Sequence, residues 1–316
     1  MKPIIEVENL VKRYRKAKEN AVNDISFSVQ EGEFFALLGP NGAGKTTTIS
    51  ILTTTLMKTS GMVRVAGYDT EAQRKQVRQH IGVIFQSPSL DLNLTAEENI
   101  RLHAGLYGLY PYRPIYRLMS GNYKKQIFEL AQILRMEKEM FNPVKTFSGG
   151  MKRKLEIIRS LMHNPKVLFL DEPTSGLDPV SRRTLWSYLK NVREKEHTTI
   201  FLTTHYLQEA EETDNLCIMN KGKIVAQGMP GDIKEKLLKY YLIINAQEQN
   251  LLETELGQKR IPFQKTRKGI KIFLEHSVQA QEILKKVETP LITLDVYAPT
   301  LEEAYVDIIE SNQNGV

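Results

Sequence analysis

The chain has 316 residues, 41% of them hydrophobic and 25% charged, with a formal net charge of +6 at pH 7. That profile excludes extended disorder, and the length exceeds what one compact domain needs, so a large domain with a smaller appendage is expected. The single cysteine excludes an internal disulfide or an all-cysteine zinc site. The basic residues are too dispersed for their charge to argue for nucleic acid or an anionic membrane.

The opening stretch MKPIIEVENLVKRY carries acids among its apolar residues, which predicts a first strand and not a secretory signal. FFALLG (34–39) is a short apolar run ending in glycine, followed by a loop and the polar start TTTISIL, a strand–loop–helix pattern. IGVIF (81–85), KVLFLDE (166–172) and TTIFLTTH (198–205) are further apolar runs of strand length without alternation. Such runs suit a parallel sheet covered on both faces, with helices such as SRRTLWSYLKNVREK packed over it; the fold class is α/β. No apolar run reaches the roughly 20 residues of a membrane-spanning helix, which places the chain in the cytoplasm.

Between Gln86 and Ser148 the texture becomes helical. Thr95 stands three residues before Glu98 at capping-box spacing, and KKQIFELAQILRM repeats apolar residues at helical intervals. LYPYRPIYRL interrupts that pattern; its tyrosines are read as packing residues, with a partner-facing role as the alternative. The basic cluster Lys152, Arg153 and Lys154 reads as a solvated helix face, and Cys217, in NLCIMNKG, as core packing in a strand. After Ile233 the pattern changes to strand (YYLIINA), helix (QNLLETELGQK), two strands about Lys268-Gly269, helix (SVQAQEILKKVE) and strand (PLITLDVYA). A closing helix, TLEEAYVDIIESN, begins at Thr300, three residues before Glu303. The expected division is 1–238, with a helical insert over about 87–159, and a small α+β domain over 239–316.

GPNGAGKTT spans Gly39, Pro40, Asn41, Gly42, Ala43, Gly44, Lys45, Thr46 and Thr47 at P-loop spacing, in the strand–loop–helix context that this motif requires. Its glycines let backbone N–H groups close around phosphate oxygens, the helix N-terminus adds positive potential, and Lys45 reaches the outer phosphates. Thr46 supplies a hydroxyl for Mg2+. VLFLDEP places Asp171 and Glu172 at the carboxyl end of an apolar strand, where ligands bind in open α/β sheets. Asp171 suits the magnesium shell and Glu172 suits polarising an attacking water.

Together these motifs resemble the nucleotide-binding subunit of an ATP-binding cassette (ABC) transporter. FSGGM (147–151) resembles that family's signature motif, with Phe147 and Met151 where Leu and Gln are common and with Ser148, Gly149 and Gly150 retained. The resemblance implies a P-loop cassette with a parallel core, an antiparallel edge and a helical subdomain. It also implies further roles: Gln86 senses Mg2+ and the attacking water beside the surface docked by the membrane subunit, and Asp178, ending SGLD, lies in a loop between paired protomers. His205 contacts the γ-phosphate, and Tyr14 stacks on adenine. Two cassettes would pair head to tail, here as a homodimer, so that ATP held by Lys45 of one is closed over by Ser148 and Gly150 of the other.

GGMKRKLEIIRSLMHNPKVLFLDEPTSGLDP and APTLEEAYVDIIE resemble the ATPases of type-2 exporters, including the daunorubicin-resistance type. That implies separate membrane-spanning permease subunits, a peripheral position on the cytoplasmic face of the membrane, and no nucleic-acid partner. The alternative is a soluble cassette ATPase acting on ribosomes or nucleic acid. For residues 239–316, dimer-stabilising packing is expected, with ligand sensing as the other reading.

Overall fold

The computed structural model describes residues 3–86, 89–237, 240–274 and 278–297, with 300, 302 and 305 beyond them. The expected closing helix from Thr300 otherwise falls outside the described residues. The chain divides into two compact units, 1–227 and 228–316.

In the first unit, β1 (Ile5–Lys12) and β2 (Val22–Val29) pair antiparallel, with Ile5 opposite Val29. The fully buried β3 (Phe34–Leu38) leads through the glycine-rich loop into α1 (Lys45–Leu52). β4 (Ser60–Val65) and the short β5 (Tyr68–Asp69) complete an antiparallel sheet in the order β2-β1-β4-β5. α2 (Arg74–His80) then runs directly into β6 (Ile81–Ile84).

Three helices follow: α3 (Ala96–Leu106), α4 (Gly121–Leu134) and α5 (Gly149–Leu161). The capping box at Thr95 is present, with the Glu98 N–H donating to Thr95 Oγ1 at 3.2 Å and the Thr95 N–H to Glu98 Oε2 at 2.8 Å. It satisfies two of the donors that a helix start leaves orphaned. In the interrupted stretch, Tyr110 and Tyr116 pack edge-on against the buried Tyr123 of α4, as expected, whereas Tyr112 is exposed.

Next come β7 (Val167–Asp171), α6 (Pro179–Glu196), β8 (Thr199–Thr204), α7 (Leu207–Glu211), β9 (Asn215–Asn220) and β10 (Lys223–Gly228). They join β3 and β6 in a sheet of order β10-β9-β3-β8-β7-β6. β3 pairs parallel with β8 and β9, and β7 pairs parallel with β6 and β8. Phe35 stacks between Phe27 of the antiparallel sheet and Phe201 of β8, with ring centroids 5.6 and 5.3 Å apart, so one core joins the two sheets. Each buried ring contributes about 1.5–3 kcal/mol by removal from water. Cys217 lies in that core, as its setting indicated.

The basic cluster departs from the solvated face expected of it. Arg153 is 5% exposed, because its helical position turns the side chain into the unit, and Lys154 Nζ meets the Tyr188 hydroxyl at 3.1 Å.

The second unit contains α8 (Pro230–Leu237), β11 (Tyr240–Ala246), α9 (Gln249–Gln258), β12 (Gln264–Thr266), β13 (Gly269–Leu274), α10 (Gln279–Lys286) and β14 (Leu291–Tyr297). Its antiparallel sheet has the order β12-β13-β11-β14. Leu242, Ile244, Ile270 and Ile272 from the sheet pack with Leu252 and Leu256 of α9 and Ile283 of α10. Among the described residues of the whole chain, no helix is long and apolar enough to cross a membrane.

Candidate functional site

Strand register brings four loops to one edge of the parallel sheet. Leu38 of β3 lies opposite Thr204 of β8, and Asp171 of β7 opposite Thr203. The segments that follow β3, β6, β7 and β8 therefore open at the carboxyl edge, where ligands bind in such sheets. A cleft of about 590 Å³ lies there, lined by Asn41, Gly42, Gly44–Thr47, Gln86, Glu172 and His205, together with Ala21 and Ser175, which the sequence did not single out.

The loop has its shape because two positions admit only glycine. A Cβ at Gly39 would stand 2.4 Å from Met219 O; Gly44 has φ +105° and would place a Cβ 2.5 Å from Ala21 O. Gly44 is the N-cap of α1, and the first-turn residues Lys45, Thr46 and Thr47 line the cleft, where a helix start offers N–H groups with no intrahelical partner. Lys45 Nζ donates to Gly39 O at 2.8 Å and Pro40 O at 3.1 Å, and stands 3.5 Å from Glu172 Oε1.

The two acids are held differently. Asp171 Oδ1 accepts from Thr203 Oγ1 at 2.5 Å and from Thr46 Oγ1 at 3.4 Å. Glu172 adopts φ +46°, a left-handed conformation that costs a non-glycine residue about 1 kcal/mol or more. It is fixed there by its N–H, which donates to Thr203 Oγ1 at 3.0 Å. The turn aims the carboxylate across the cleft, where Gln86 Nε2 donates to Oε2 at 3.1 Å and His205 Nδ1 lies 3.4 Å from Oε1. Thr203 thus positions both acids. The sequence carried no local signal for this role beyond Thr203 standing two residues before His205 at the end of an apolar strand; the pairing with Asp171 comes from register.

Burial lowers the Lys45 pKa against the opposing pull of Glu172 and Asp171, and burial raises that of Asp171, aided by the Glu172 charge. Each charged form is incompletely compensated. A ligand supplying anionic oxygens to Lys45 and a cation to Asp171 would relieve both. The donor set around Asp171 is hard oxygen, which suits Mg2+. Among the described residues no three His, Cys, Asp or Glu side chains converge, so such an ion would complete its shell with ligand oxygens and water.

Tyr14 is 45% exposed, with its hydroxyl 3.2 Å from Thr47 Oγ1 beside the loop. Ser148, Gly149, Gly150 and Asp178 are not brought to the Lys45 cleft. Ser148 is exposed and caps α5, its Oγ accepting from the Met151 N–H at 3.3 Å. Ser148 and Gly150 line a separate cleft of about 150 Å³ with Leu177 and Ser181. Asp178 caps α6, accepting from the N–H groups of Val180 and Ser181, both at 3.0 Å.

A family model described as "ABC transporter" matches residues 22–175. The Nod factor export ATP-binding protein I of Ralstonia nicotianae is 39% identical over 232 residues, which cover 73% of this chain and 68% of that protein. This chain belongs to the ABC transporter family. As an ABC ATP-binding protein it is an ATPase, and its relatives include ATP-binding proteins of export and resistance systems. The daunorubicin/doxorubicin resistance ATP-binding protein DrrA of Streptomyces peucetius is 36% identical over 261 residues, covering 80% of this cassette protein's chain and 76% of its own. Among solved structures, the dimeric post-hydrolysis state of the ATP-binding cassette MJ0796 bound to ADP and Pi aligns with a TM-score of 0.62 and 26% identity. It covers 71% of this chain and 98% of that one.

Proposed function

We propose that this ABC protein is the ATPase of an exporter whose membrane-spanning subunits are separate chains, and that two copies close head to tail over two ATP molecules on the cytoplasmic face of the membrane. The observation that carries this reading is the separation of Ser148–Gly150 from the Lys45 cleft within one chain. An exposed helix N-terminus with free glycine N–H groups is suited to a γ-phosphate supplied by another chain.

In this reading Tyr14 stacks on adenine, residues 39–47 cradle the phosphates, and Lys45 leaves the carbonyls of Gly39 and Pro40 for the outer phosphates. Thr46, Asp171 and Gln86 hold Mg2+, which supplies neutralisation of phosphate charge. Glu172 orients and polarises the attacking water, and His205 and the partner copy's signature serine and glycines donate to the γ-phosphate. Catalysis is then positioning plus electrostatic stabilisation, the usual division for phosphoryl transfer. Asp178 lies at the junction of the two copies, and packing of residues 239–316 stabilises the pair.

The membrane subunit docks at a third cleft, of about 340 Å³, that begins beside Gln86 at Phe85 and Ser89 and is flanked by His103, Tyr107, Arg159 and His163. Among the described residues, His103 Nε2, Arg159 Nε and His163 Nδ1 are buried there with no hydrogen-bond partner, an arrangement that a docking segment would satisfy. Affinity purification from native membranes tests the reading. A polytopic membrane protein should co-purify; recovery of the chain with ribosomes and no such protein would favour the nucleic-acid alternative.

A further inference from the structure

Arg153 lies on α5 about one turn past Gly150 and is given no nucleotide contact of its own above, yet it is more deeply buried than most charged residues of the unit. Its guanidinium spends its donors on two loops. Nε donates to Pro173 O at 3.0 Å, Nη1 to Phe85 O at 2.6 Å, and Nη2 to Gln86 O at 3.1 Å, while Nη1 also meets Glu156 Oε2 at 3.0 Å. Pro173 directly follows Glu172, and the Gln86 side chain donates to Glu172. One planar fork therefore grips the backbone next to both members of the Gln86–Glu172 pair.

The grip is itself braced. Glu156, 1% exposed, accepts from the Ser89 N–H at 2.9 Å through its other oxygen, and Arg159 donates to Ser89 O at 2.6 Å. Helix α5 thus holds the chain on both sides of the segment after Gln86. The N-terminus of the same helix carries Ser148–Gly150.

We propose that Arg153 is a positioning residue that sets the Gln86–Glu172 geometry and carries displacement of the signature end of α5 to the catalytic carboxylate. Closure of a partner's nucleotide on Ser148 would in this way be felt at the chain's own hydrolytic site, through one rigid side chain. A lysine could not substitute, since an ammonium is a point charge on a flexible stem and lacks the fixed fork needed to hold three carbonyls at once. The inference rests on the role given to Glu172.

Loss of stability alone would not distinguish this from ordinary packing, because breaking a buried ion pair is destabilising in either case. The test is a double-mutant cycle on the purified full chain, with its membrane subunits where these are recovered, using Arg153→Lys, Gln86→Ala and the combination. ATP affinity, kcat and KM are measured for each. Arg153→Lys should leave ATP affinity within about twofold and lower kcat by about 10- to 100-fold, the scale of a small misplacement of a reacting group. In the Gln86→Ala background the same change should have little further effect, since both act on one pair. An unchanged kcat in Arg153→Lys, or an equal loss in both backgrounds, would overturn the proposal. If Arg153→Lys does not fold, Glu156→Gln carries the same cycle and the same criteria. Glu172→Gln serves as the control: continued hydrolysis there would instead overturn the role of Glu172.

Discussion

Lys45 and Asp171 in the first unit and Glu255 in the second are all charged groups drawn out of water, but they are treated in opposite ways. Burial shifts Lys45 down and Asp171 up, each toward its neutral form, because their neighbours compensate only in part. Glu255 is also raised by burial, yet hydrogen bonds from Lys259, the Thr289 hydroxyl and the N–H groups of Glu288 and Thr289 outweigh that and hold its carboxyl at about 2. The second unit closes its own electrostatics around a structural carboxylate. The first leaves its charges wanting a ligand, and that difference locates the chemistry more directly than cleft size does.

The contrast can be broken at its strongest point by Glu172→Gln. Turnover should fall by about 10²- to 10⁴-fold, the range for loss of a positioned acid–base group, with ATP still bound; a steady-state phosphate-release assay with a parallel binding measurement checks both. Tyr14→Ala should weaken ATP binding by about tenfold with kcat nearly retained, since one base–aromatic stack is worth about 1–3 kcal/mol; titration with a fluorescent nucleotide reads it. In the second unit, Glu255→Gln should cost about 1–3 kcal/mol of that unit's stability and leave turnover unchanged. The pH dependence has a definite sign. The folded pKa of Glu255 lies below the ordinary 4.5, so its contribution is full above that value and lost as pH falls toward about 2. Urea melts across that window, followed by a probe in the second unit, should lose their acid limb in the variant.

A stability effect in the first unit, read without turnover, is expected at His103. Burial, with the nearby Arg159 and His163 charges, lowers its pKa from 6.5 to about 3, so the folded chain keeps it neutral while the unfolded chain protonates it. Stability of the first unit should therefore decline as pH falls from about 6.5 toward 3. His103→Gln should flatten that decline in thermal melts over the same range.

The strands were legible because burial on both faces writes continuous apolar runs, as in FFALL and VLFLD, and the P-loop because its glycines answer to close backbone approach at Gly39 and Gly44. Of the cleft members, Glu172 was legible from its strand-end position, and Gln86 and His205 through the resemblance to the ABC family. Arg153 was not. In sequence it sits between two lysines and looks like part of a solvated stripe; only the rotation of α5 against the sheet decides that it points inward while its neighbours do not. Thr203 was hidden for a related reason, since its role depends on lying opposite Asp171 across β7 and β8. Cross-strand register and helix rotation are tertiary facts with weak local signals.

The shared nucleotide site is the central claim, and the mass of the Glu172→Gln chain with and without ATP tests it most directly. Light scattering should give a single chain, 36.2 kDa, without nucleotide and twice that mass with ATP and Mg2+, reverting to the single chain when Ser148→Arg is added. A variant that binds ATP and remains at the mass of one chain would contradict the account.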